Sequence, residues 1–310
     1  MNTSGPDLGD LLRGAVDGIE PADRIDAIRA RAAAAPTRAA RPWLYAAGGV
    51  VLATAATVAG FAGVDSRPPS HDHGSMVAPV PVKTQLVAAY FVGRTDRGFR
   101  LFREFDEVPA GDPLQAALAR IERPPSDPDY QTLWPHGSLV SASVKDGTIE
   151  VELGDNAPST FAGPAEGLPE QQVVYTLQAA VGERLPVRLL RHGQPVGAPM
   201  TAEPQADVLS QVMVNDPTEG LAVHDSFTAR GAANSFEANV PWEIRDGNGA
   251  VVMSGSATAE GWMDKLYPWE THIDVRNLPS GTYTFVASTD DPSGGEGPGP
   301  DSDTRTIIVG

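Results

Sequence analysis

Few residues in this chain have the types and spacing for chemistry. Six histidines, His71, His73, His136, His192, His224 and His272, are scattered, and none sits in a His-Glu-x-x-His helix that would hold zinc. His71, His73 and Met76 offer imidazole and thioether donors that suit copper, but they lie in a Pro- and Ser-rich stretch that cannot preorganise them, so no metal is expected there. Asp290, Asp291, Glu296, Asp301 and Asp303 fall in the stretch DDPSGGEGPGPDSD, and several oxygens on a bendable loop are what calcium requires. Their spacing matches no EF-hand, and a solvated acidic hairpin is expected instead. His136-Gly137-Ser138 reads as a turn before a hairpin, not as a nucleophile. A G-x-S-x-G elbow, a P-loop and a Rossmann fingerprint are all missing from the sequence. The expectation is a protein without catalysis, cofactor or metal. Trp262, Tyr267 and Trp269, in GWMDKLYPWE, are the candidate binding surface: aromatic rings either stack on a glycan or partner, or cap a core.

The elements that must position these residues are sorted by one stretch. Trp43 to Val64 is 22 residues without a charge. As a helix it reaches roughly 33 Å, enough to cross a hydrocarbon core of about 30 Å. Arg24, Arg29, Arg31, Arg38 and Arg41 precede it, whereas only Arg67 and Lys83 follow at similar distance, so residues 1–42 are expected in the cytoplasm and the rest outside. A 42-residue charged leader is too long for a cleaved signal peptide. The arm carries six Arg and six acidic residues, so the net charge of -17 lies beyond the membrane and argues against nucleic acid as a partner. With no cysteine, the outer part has no disulfide and must be held by its cores.

The arm has apolar residues at helical spacing, among them Leu11, Leu12, Val16, Ile25 and Ile28, giving two short amphipathic helices around Pro21. It is read as a tether, with docking of a cytoplasmic regulator as the alternative. Residues 65–82 are an extended linker. From Lys83, β-rich segments frame a helix capped by Asp112 with Pro113 at its first position. Two strands joined by Asp146-Gly147 follow, and then a helix from Leu168 to Val181 and a strand from Pro186 to Leu190. The predicted order is β-β-α-β-β-α-β, an open α+β layer with helices on one face and with Val140, Ala142 and Val144 turned inward. A polar stretch from Gly197 to Leu209 marks a boundary. Beyond it, seven short strands separated by turns such as Asp246-Gly247-Asn248-Gly249 predict a β-sandwich over 208–310.

YFVG, TLWPHGSLVSASVKDGTIEVELG and EQQVVYTLQAAVG followed by PVRLLRHG resemble the GerMN domain of bacterial sporulation and germination proteins, over 83–200. The resemblance implies an α+β fold like that of ring-building envelope domains, acting outside the membrane without established catalysis. In it Trp134, Pro135 and Gly137 match the turn before the central hairpin. SFEANVPWEIRDGNGAVV resembles the immunoglobulin-like domain of bacterial spore germination, which often follows a GerMN domain. The arm resembles those of actinobacterial single-pass proteins, some of them anti-sigma factors. These likenesses imply a membrane-anchored protein of the cell envelope that binds wall material or envelope proteins. Transmembrane signalling through the arm is the alternative, and self-association of the first domain is a further expectation.

Overall fold

Two long strands, β1 (Thr84–Thr95) and β2 (Gly98–Pro109), form an antiparallel hairpin in register from end to end. The computed structural model describes residues 83–310 apart from 160–164, 166, 292–295 and 297–298. The arm, the span Trp43 to Val64 and the linker lie outside the described residues. Among the described residues no helix is long and apolar enough to cross a membrane, and all of them fall within one compact unit.

After the hairpin comes α1 (Pro113–Ile121), whose Asp112 cap accepts from the backbone N–H groups of Leu114 and Gln115 at 2.9 and 3.3 Å. That bond satisfies donors the first turn would otherwise leave open. A two-residue strand, β3 (Tyr130–Gln131), adds to β1 and makes the order β2-β1-β3. Next come β4 (Leu139–Lys145), β5 (Thr148–Leu153), α2 (Leu168–Val181), β6 (Val187–Arg191) and β7 (Gln194–Met200). They form a second sheet, β4-β5-β6-β7, in which α2 makes the crossover between the parallel strands β5 and β6. Both helices and both sheets share one apolar core around Phe91, Leu101, Leu118, Trp134, Ile149 and Leu177.

This corrects the expected single layer in three respects. The strands divide into two sheets. β7 was hidden by its composition, QPVGAPM, because Pro195 and Pro199 lack an N–H; on an edge strand one row of donors faces solvent, so the prolines cost no ladder bond. Val140 and Val144 are 59% and 49% exposed, not inward. A register shift between Leu139 and Ser141 turns Val140 out while Ala142 stays in, and Val144 lies at the turn end of the hairpin, beside Asp146-Gly147.

The polar stretch between the two domains is itself docked on the first. A helical turn, α3 (Gln205–Val208), delivers Val208 and Leu209 into the first core, Leu209 bridges to Leu101, and the Ser210 N–H donates to the Leu101 carbonyl at 3.0 Å. The sandwich then comprises β8 (Val212–Asp216), β9 (Leu221–Val223), β10 (Ser226–Ala233), β11 (Asn239–Arg245), β12 (Val251–Thr258), β13 (Tyr267–Asp274), β14 (Gly281–Ser288) and β15 (Ser302–Val309). One sheet is β13-β10-β8 and the other β12-β11-β14-β15-β9, with Phe227, Ile244, Ile273 and Phe285 between them. The seven strands read from the sequence are present, and β9 joins them by pairing in parallel with β15. The described chain is mostly β-sheet with few helices.

Candidate functional site

β15 alternates, as a half-buried strand must. Ile307 and Val309 point into the sandwich core, and the same parity sends Asp303 and Arg305 inward at the end nearer the first domain. Two charges there, 3% and 4% exposed, need partners. Arg305 finds them on both domains. It donates through Nη1 to Asp303 at 2.9 Å, to Asp127 at 2.5 Å and to the Tyr130 hydroxyl at 3.0 Å, and through Nη2 to the Val214 carbonyl at 2.6 Å. Asp303 accepts from the Val214 N–H at 2.6 Å and from the Tyr130 hydroxyl.

Tyr130 is held in place by its own domain. Its ring stacks on Phe102 with centroids 4.7 Å apart, over Gly93, its partner in the β1–β3 pairing. A Cβ at Gly93 would stand 2.7 Å from Phe102 and 2.9 Å from Tyr130, so only glycine admits the stack. Asp127 is fixed through its backbone: the Ser126 and Asp127 N–H groups donate to Glu104 at 3.0 and 2.8 Å, and Glu104 in turn accepts from Arg120 of α1 at 2.6 Å. A buried chain of charge therefore runs from α1 through β2 and the 126–130 loop into β15. Asp129 extends it by accepting from the Thr304 hydroxyl at 2.9 Å. Nearby, Asp301 is 1% exposed, accepts from the Gln211 N–H at 3.1 Å and lies 3.8 Å from Arg97.

Electrostatics follow from this geometry. Burial pushes the Asp127 carboxyl up to about 7, against the pull of Arg305. Burial also raises the Tyr130 phenol, with Asp303 adding to the effect. For Arg305 burial opposes the charge, but Asp303, Tyr130 and Asp127 outweigh it and hold the guanidinium charged. These groups are occupied with one another and with backbone, so the seam acts as a lock between the two domains. Beside it, a groove of about 600 Å³ lies between Asp96 in the β1–β2 turn and the outer face of the sandwich, lined by Glu243, Arg245, Asp246, Thr284 and Thr304.

The candidates read from the sequence are not gathered into one site. Trp269 is 3% exposed and belongs to the sandwich core, where it pairs with Gly231. Tyr267 is half-buried, donates its hydroxyl to Asp264 at 2.7 Å and receives Lys265 over its ring. Trp262 is 37% exposed and meets Phe236 edge to face. The acidic stretch is not a solvated hairpin throughout: Asp301 and Asp303 are buried at the seam, Asp303 lies within β15, and Asp290 accepts from the Asn239 amide at 3.0 Å, while Glu296 is exposed. Among the described residues no group of three or more histidine, aspartate or glutamate side chains is placed to hold a metal; His71, His73 and Met76 lie outside them. At the turn before β4, Glu122 accepts from the N–H groups of Gly137 and Leu139 at 3.0 and 2.5 Å, and the Trp134 indole donates to the Pro169 carbonyl at 2.9 Å. The seam residues were missed because Asp127 and Tyr130 sit in a Pro-rich loop. The one available signal was the parity of Asp303 and Arg305 with Ile307 and Val309.

Compared with family models, residues 88–197 match the one described as sporulation and spore germination, and residues 211–296 match the immunoglobulin-like domain of bacterial spore germination. No curated protein matches. Among solved structures, the tandem GerMN domains of the sporulation protein GerM from Bacillus subtilis are similar at 15% identity and a TM-score of 0.33, over 42% of this chain and 49% of that one. A Jonesia denitrificans lytic polysaccharide monooxygenase is similar at 10% identity and a TM-score of 0.21, over 30% of this chain and 60% of that one. The chain thus spans about half the length of the GerM structure it matches. Both TM-scores are low, and neither structure informs the reading of this chain.

Proposed function

From a chain that carries the sporulation and spore germination domain followed by the immunoglobulin-like domain of bacterial spore germination, we propose a non-catalytic binding and assembly protein of the cell envelope. In this reading Trp43 to Val64 crosses the membrane, residues 1–42 are cytoplasmic, and both folded domains stand outside, where they meet wall material or envelope proteins. The linker of 18 residues, extended at about 3.1 Å per residue, lets them stand within roughly 55 Å of the bilayer.

The observation that carries the reading is the buried seam around Arg305. Ion pairs between exposed surfaces are weak and allow two domains to move; a guanidinium with two carboxylates and a phenol, closed from water, ties them into one platform. A rigid platform gives up little entropy when it binds, which suits a scaffold.

Crosslinking in intact cells tests the reading, comparing the full chain with a version lacking residues 1–40. Envelope proteins or wall fragments recovered with both versions support it. A principal partner that is cytoplasmic and vanishes with the arm overturns it in favour of transmembrane signalling. Protease added to intact cells should remove the folded domains and spare the arm; protection of both domains would refute the orientation.

A further inference from the structure

At the end of the sandwich next to the docked linker, three large apolar side chains stand in solvent. Phe236 is 40% exposed, Trp262 37% and Met263 73%. The two rings meet at 5.2 Å, and their loops are joined to the linker region by the Asn234 amide, which donates to Gln211, and by Gln205, which accepts from the Leu266 N–H.

These loops are braced. The Asn234 side chain accepts from the Met263 N–H at 2.7 Å and donates to its carbonyl at 3.4 Å; Ser235 accepts from the Asp290 N–H at 2.7 Å; and Tyr267 anchors Asp264. Met263 has φ 92, and Glu237 and Ala238 have φ 52 and 59, left-handed conformations that residues with a Cβ adopt at a cost. Polar bonds thus hold strained backbone in place, and the outcome is to keep Met263 in water, where its burial free energy is forgone. Trp, Phe and Met are the types enriched at the centres of protein interfaces.

The rim indicates what covers the patch. Glu237, Glu260 and Asp264 are exposed around it against one cation, Lys265, which leaves an excess of two negative charges. An acidic rim repels an anionic bilayer and complements a basic surface. A glycan is the poorer fit, because an edge-to-face pair offers no two coplanar rings and the most exposed member, Met263, has no ring. We propose that Phe236, Trp262 and Met263 form a docking patch for a protein partner that presents an apolar segment flanked by Lys or Arg. The proposal rests on the binding reading above and names the partner's chemistry.

The test uses the full chain in nanodiscs of zwitterionic lipid, with empty nanodiscs as the blank, and two labelled amphipathic peptides of equal apolar content, one leucine–lysine and one leucine–glutamate. The leucine–lysine peptide should bind, and Phe236→Ser/Trp262→Ser/Met263→Ser should weaken it tenfold or more. Val140→Ser/Val144→Ser, a change at two other exposed apolar side chains, should leave binding unchanged. Equal binding by the patch variant, equal binding of the glutamate peptide, or displacement of the peptide by wall glycan or anionic vesicles overturns the proposal. If the triple variant fails to fold, Met263→Ser alone decides, with a threefold or greater loss expected and no loss refuting. Crosslinked envelope partners retained by a variant with unaltered peptide binding would leave the envelope reading standing while this proposal falls.

Discussion

The triplets Asp274-Val275-Arg276 and Asp303-Thr304-Arg305 have the same spacing and belong to the same sandwich. In the first, Arg276 donates through Nε to both Asp274 oxygens at 3.0 Å, with the two side chains 45% and 67% exposed, and the hydrogen bond from Arg276 holds the Asp274 carboxyl down to about 2. In the second, the side chains are 2% and 4% exposed, and Arg305 serves a second carboxylate and a phenol from the other domain. Spacing makes the local pair in both. Burial decides what the pair is worth, because water and salt screen an exposed pair and leave a buried one dependent on its partners.

The sharpest way to break this comparison is Arg305→Ala. It leaves the Asp303 carboxylate buried without a countercharge and takes from Asp127 its guanidinium donor, and the midpoint of urea unfolding should report a loss of about 3–5 kcal/mol. Arg305→Met combined with Asp127→Asn and Asp303→Asn should restore most of it, since removing all the charges is far less harmful than removing one. Tyr130→Phe deletes a donor to an ionised carboxylate and should cost about 1.5–3 kcal/mol in the same assay, with the Phe102 stack retained.

Smaller, and opposite in sign between the exposed triplet and the first-domain carboxylate that meets the buried one, is the response to pH. Asp127, raised to about 7 when folded, holds a proton that the unfolded chain releases near pH 4, so its contribution is full below pH 4 and is lost as pH rises through about 7. Asp274, lowered to about 2, contributes above pH 4 and loses its share as pH falls through about 2. Unfolding midpoints at pH 5 and pH 8 should therefore fall with pH in the natural chain and change less in Asp127→Asn; an identical slope would remove Asp127 as the cause. The smallest effect belongs to Asp274→Asn, which should lower the midpoint at neutral pH by only a small fraction of what Arg305→Ala costs, because water and salt screen the exposed pair. A comparable loss there would mean that exposed and buried triplets are not so different.

Much of this architecture is local and was legible. Asp112 with Pro113 announces α1, Asp146-Gly147 joins β4 to β5, Leu168 to Val181 is a helix with those bounds, and punctuation by turns separates the sandwich strands. What was misread depended on position in a sheet. β7 carries prolines that an edge tolerates, and Val140 leaves the core through a register shift that no alternation announces. Within GWMDKLYPWE, Trp269 entered the core and Trp262 stayed at the surface, a choice between two like residues that composition could not make.

The sequence by itself determined the two domain families, the elements and the parity of β15, because these rest on contacts among near neighbours and on a period of two. Tertiary structure alone decided that Asp127 and Tyr130 face Arg305 from more than 170 positions away, and that Asp301 and Asp303 leave the acidic loop for a dry seam. The physical reason is that a charge reads the same in any sequence, whereas its energy depends on which groups and how much water surround it, and only the packing of distant segments sets those.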